Sequence, residues 1–143
     1  EDYLKIPVIK TDTSALTLGN NDIEIIISSS NFDPKSHKLN YNGINKDFLD
    51  RIDDKYIWGT DGNIPKKQYD TFTILLKNKK ITLPKKALEN LYEPNFENTF
   101  ANYDTVNDIL YIYAFNSDGA GGYGVMWKIE KGVYKDRIVR FTS

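Results

Sequence analysis

The chain has 143 residues, 40% of them hydrophobic and 13% aromatic, and its 19 basic and 20 acidic side chains leave a formal net charge of -1. A chain of this length fits one soluble domain over residues 1–143 with a real, largely aromatic core, which argues against disorder. Balanced charge argues against a nucleic-acid partner, the lack of cysteine excludes disulfides and thiol or zinc-ribbon chemistry, and no apolar run reaches the roughly 18 residues of a membrane span.

In chain order, residues 1–18 mix polar and apolar side chains around Pro7 and read as an extended lead-in with a short edge strand. After the turn-forming run Gly19-Asn20-Asn21-Asp22, residues 23–28 are β-branched, with Ile23, Ile25 and Ile27 on one face of a strand. Punctuation over 31–34 precedes a short strand at 38–41 that ends at Asn42-Gly43. Residues 45–52 are ambiguous: Phe48, Leu49 and Ile52 fall at helical spacing and allow one or two helical turns. The aromatics Tyr56 and Trp58 then feed a loop rich in Gly, Asp and Pro that runs to Pro65.

Phe72, Ile74 and Leu76 alternate with mostly polar neighbours, and a turn at Asn78-Lys79 followed by a strand over 80–83 completes a hairpin. Pro84 in a first turn and the stripe Ala87, Leu88 and Leu91 predict a short helix over 84–91 that Pro94 ends. Strands follow near 98–103, at 109–115, where both faces are apolar and burial on both sides is expected, and at 123–129, where Tyr123, Val125, Trp127 and Ile129 share a face. A last strand over 133–141 carries Lys135, Arg137 and Arg140, which suit an edge. The expected fold is mainly β (a β-dominated α+β class): an antiparallel meander of about eight strands, as a sheet or a sandwich or barrel-like form, with one or two short helices.

Two loops hold the candidate contact residues. In Ser117-Asp118-Gly119-Ala120-Gly121-Gly122 the glycines could cradle an anion, but phosphate loops lead from strand to helix and carry a GK[ST] signature absent here. A wide hairpin loop is the simpler reading. In Trp58-Gly59-Thr60-Asp61-Gly62 an indole beside Gly and Asp suits a sugar ring or a partner's pocket, and equally a core Trp before a tight turn. The aspartates do not follow a calcium-loop pattern, and His37, the lone histidine, stands in a polar stretch without a nucleophile elbow and reads as a solvated turn residue. No cofactor, metal site or catalytic residue is expected.

The segments Trp58-Gly59-Thr60-Asp61-Gly62-Asn63-Ile64-Pro65, Leu91-Tyr92-Glu93-Pro94 and Asn116 through Tyr123 resemble segments of small β-rich proteins of Gram-negative bacteria that are exported or encoded beside toxin genes as immunity proteins. The resemblance covers about the last two-thirds of the chain. It brings no catalytic residues and implies a protein-binding role. The start at Glu1 and the Lys-, Asn- and Ile-rich usage fit an exported bacterial protein, periplasmic or at the cell surface. The expected function is therefore a non-enzymatic binding module of the immunity or inhibitor type that blocks a bacterial toxin or cell-wall enzyme. Trp58, Asp61, Asp118, Gly119 and Tyr123 are its expected contacts. The alternatives are a carbohydrate-binding module or weak glycan hydrolase of an exported system, and a structural part of an exported assembly.

Overall fold

A computed structural model describes residues 3–42 and 47–142; the start at Glu1, Gly43 of the expected turn and the head of the 45–52 segment lie outside them. The described residues form thirteen strands, and every helical segment among them is a three-residue 3-10 turn. One five-stranded antiparallel sheet has the order β1 (Tyr3–Lys5), β10 (Thr99–Asp104), β11 (Ile109–Asn116), β12 (Tyr123–Glu130) and β13 (Val133–Phe141). A second has the order β2 (Val8–Thr11), β3 (Ala15–Gly19), β4 (Ile23–Asn31), β8 (Lys67–Leu76) and β9 (Lys79–Thr82). A small third sheet joins β5 (Leu39–Asn42), β6 (Phe48–Ile52) and β7 (Lys55–Tyr56).

Alternation builds the core. Ile23, Ile25 and Ile27 of β4 and Phe72, Ile74 and Leu76 of β8 face Leu110, Ile112 and Ala114 of β11 and Tyr123, Val125, Trp127 and Ile129 of β12 in one apolar cluster. The two large sheets are thus the layers of a sandwich, with Trp127 edge-on to Phe72 at 4.9 Å between ring centres. Along one side the chain passes from β1 to β2 through Ile6 and Pro7, and the backbone of Ile6 bonds to Ala101 while that of Pro7 bonds to Gly19, so one strap closes both sheets. On the other side Arg137 reaches from β13 to the carbonyl oxygens of Ala87 and Glu89 and to Asn90 Oδ1 at 3.2, 2.8 and 2.6 Å.

Three expectations are corrected. Residues 84–91 hold only the 3-10 turn Lys85–Ala87, and Leu91 reaches the core from a bridge to Trp58 rather than from a helix. The described part of 45–52 is β6: Tyr41 pairs with Leu49 and Asn40 with Arg51, so Asp50 bulges out and Leu49 and Ile52 face the same way. Strand β11 is central in its sheet but covered on one side only. Its outward residues continue a cross-strand row of Phe100, Tyr113, Met126 and Ile138, beside a Phe115 that is 50% exposed. No helix among the described residues is long and apolar enough to cross a membrane.

Candidate functional site

Segments 58–65, 91–94 and 116–123 meet in space. A polar side chain in the inward phase of β11, Asn116, holds them together from below. Its Nδ2 donates to the hydroxyls of Tyr69 and Tyr123 at 2.7 and 3.1 Å, and its Oδ1 accepts the Asn95 N–H at 2.8 Å. The Tyr123 hydroxyl in turn donates to the Tyr92 carbonyl at 2.7 Å. Burial pushes the Tyr69 and Tyr123 phenols well above their usual range, so both hydroxyls stay neutral. A buried network satisfied in this way fixes one geometry for the backbone it touches.

Above it, the loops interlock through their backbones. Trp58 donates to the Asn90 carbonyl, and Tyr92 donates to that of Trp58, each at 2.9 Å. Ser117 Oγ bonds the Gly59 carbonyl at 2.8 Å, and the Ser117 N–H bonds that of Glu93 at 3.2 Å. The Glu93 carboxylate accepts the N–H groups of Lys66 and Lys67, which ties the end of the Trp58 loop to the same knot. Two glycines are required for the approach. A Cβ on Gly59, whose φ is +114°, would stand 2.5 Å from the Tyr92 carbonyl oxygen, and one on Gly121 would stand 3.0 Å from that of Gly59. The glycine-rich segment is thus a packing element in its second half: Gly121 is buried, whereas Asp118, Gly119 and Ala120 stand in solvent.

The expected contact residues divide accordingly. Asp61, Asp118 and Gly119 are exposed, and neither carboxylate has a hydrogen-bond or ion-pair partner among the described residues. Trp58 is half-buried, its indole set between Tyr123 at 6.0 Å and Phe141 at 4.4 Å. Tyr123 is a correction. Its side chain is fully buried because position 123 shares the inward phase of β12 with Val125 and Trp127, so it supports the loops and offers nothing to a partner. Phe141, 70% exposed over the Trp58 indole, takes the outer aromatic place. Beside this rim lies an open depression lined by Asp12, Glu93, Asn95, Glu97, Ser117 and Asp118, four of them acidic.

Sequence reading missed Asn116 and Phe141, and one signal was present: Asn116 is polar in the phase where Leu110, Ile112 and Ala114 are apolar. It also missed a pair. His37 is not a free turn residue, since its Nδ1 meets Asp53 Oδ2 at 2.7 Å and its ring stacks on Phe32 at 4.8 Å. That bond, together with the Lys38 N–H at 2.9 Å, holds the Asp53 carboxyl below its usual range. The pair borders a groove of about 420 Å³ with Lys55, Glu89 and Tyr92, whose lining includes no Ser, Thr or Cys among the described residues. Asp53 is the first positive-φ residue of the β6–β7 turn, so the pair anchors that turn to the start of β5. No group of three His, Cys, Asp or Glu side chains among the described residues is placed to hold a metal ion. Comparison with protein-family models, with curated proteins and with solved structures finds no match to this chain.

Proposed function

We propose that the chain is a non-enzymatic protein-binding module of the immunity or inhibitor type, which blocks a cationic cleft of a bacterial toxin or cell-wall enzyme with the rim formed by Asp61, Asp118, Gly119 and Phe141. The observation that carries this reading is the contrast between the rim and its base. Two carboxylates without a partner among the described residues stand on loops whose backbones are locked by Asn116, Ser117, Tyr123 and Glu93, and the exposed Phe141 ring stands at the end of β13 over Trp58. Groups held in place before an encounter lose little entropy on binding, which is how rigid scaffolds turn a few side chains into affinity. The acids of the adjoining depression extend the same sign of charge and favour a basic partner by steering. The Trp58 indole, covered on two sides, weighs against the sugar-stacking alternative.

The test is site-specific photo-crosslinking in the native host, with the probe residue at Ala120 on the rim or at Asn78 on the β8–β9 turn. A single protein adduct from position 120, absent from position 78 and weakened by D61A/D118A, supports the proposal. Equal labelling from both positions, or glycan-array binding without any protein adduct, refutes it.

A further inference from the structure

We infer that β13 is a self-recognition edge, through which two copies of this chain pair antiparallel about a two-fold axis at Ile138. The inference is independent of the rim and rests on the free edge of the first sheet. Strand β13 spans nine residues and is hydrogen-bonded to β12 alone, whereas the other edge strands, β1, β2, β9, β5 and β7, have two to four residues. Its backbone therefore offers the longest open ladder among the described residues, the usual template for strand addition.

The side chains decide what fits that ladder. Asp136, Ile138 and Arg140 project together from the outer face, opposite Lys128, Met126 and Gly124 of β12. The two charges lack partners within the described chain. Lys128, which faces Asp136, instead approaches Glu130 at 3.5 Å, and Gly124 gives Arg140 no side chain to meet. Placing the axis at Ile138 sets Ile138 against the partner's Ile138, Asp136 against the partner's Arg140, and Arg140 against the partner's Asp136. Both charges are answered twice, and the apolar row Phe100, Tyr113, Met126 and Ile138 runs on across the axis into its copy.

Neighbouring axes fail. One at Arg137 opposes two guanidinium-bearing residues and sets Asp136 against an isoleucine; one at Val139 carries Asp136 past the end of the partner strand. Because the axis passes through a residue, the ladder closes whether the free N–H and C=O of Ile138 point outward or toward β12. The bulge that leaves Lys135 unpaired ends the regular edge on one side and limits the ladder to the stretch from Asp136 to Arg140. So short a contact falls below the area of a standard interface and gives a dissociation constant on the order of ten micromolar.

Sedimentation velocity of the whole chain from about 1 µM to about 1 mM brackets such a dimer. The wild type is expected to pass from monomer to dimer across that range. D136R and R140D each replace two attractions by two repulsions and should weaken dimerisation about tenfold, and the double variant should recover to within about threefold of wild type. I138K should abolish it. All three positions are exposed at the edge, so matching circular dichroism and melting curves show that any loss is one of association. A wild type that stays monomeric throughout, single reversals that behave as wild type, or a double variant no better than either single overturns the inference.

Discussion

Asn116→Ala tests whether the buried network organises the loop end. The substitution removes bonds to Tyr69, Tyr123 and Asn95. Tyr123 still donates to the Tyr92 carbonyl, but the Asn95 N–H and the buried Tyr69 hydroxyl lose the partner that Asn116 supplied. Three net hydrogen bonds at about 1 kcal/mol each, with a further penalty for the orphaned groups, give about 4 kcal/mol. That is a large share of a domain stability of about 5–15 kcal/mol, and at about 2–4 °C per kcal/mol it lowers Tm by about 8–16 °C. Urea unfolding followed by tryptophan fluorescence measures the change, and a loss below about 1 kcal/mol would refute the claim that this network is fully satisfied and rigid. Asn116→Asp makes the loss depend on pH. Its carboxyl would be buried, so its folded pKa is raised above the unfolded value; its penalty is small below about pH 4 and grows as pH rises toward neutrality.

The remaining predictions address the pieces separately. Gly59→Ala combines a positive φ with a backbone clash at the Tyr92 carbonyl and should cost about 3 kcal/mol or more in thermal or urea unfolding. Asp61→Ala and Asp118→Ala, exposed and unpaired, should leave stability within about 0.5 kcal/mol of wild type while weakening partner capture. Arg137→Ala frees the Glu89 carbonyl and the Asn90 amide oxygen, while the Ala87 carbonyl keeps its bond from the Trp127 indole N–H; it should cost about 2 kcal/mol, with faster hydrogen exchange over the 85–90 segment. Asp53 has a depressed folded pKa, so its stabilising effect is present above the unfolded value near pH 4 and is lost as pH falls through the folded one. The difference between wild type and Asp53→Asn should therefore be present at pH 7 and vanish in acid, and it should be small because solvent screens the pair.

Much of the frame was legible because its periodicity is clean. Tyr123, Val125, Trp127 and Ile129 alternate without interruption, as do Phe72, Ile74 and Leu76, and all seven are buried. The failures occur where the period breaks. The bulge at Asp50 moves Leu49 and Ile52 onto one side at a spacing of three, which copies a helix, and Ala87 and Leu91 reach the core from a tight turn and a bridge at a spacing of four, which copies one too. The loop residues could be named but not sorted. Trp58→Ala removes a ring packed between Tyr123 and Phe141, so it belongs with the destabilising changes. Which glycine serves φ and which serves close approach depends on Gly59 meeting Gly121 across the fold, and no local pattern encodes that meeting.

The division between a fixed base and an open rim also constrains how this surface can vary. The base residues Asn116, Tyr123, Gly59 and Gly121 each contact backbone from another segment, so a change at any of them moves a loop. The side chains of Asp61, Asp118 and Ala120 stand in solvent, so the rim can change its charge at little cost in stability, whereas Gly119 has a positive φ and its carbonyl accepts the Gly122 N–H. A binding module that must match one partner and reject its relatives needs that separation, because new repulsive groups can be placed on the rim without reopening the network beneath it.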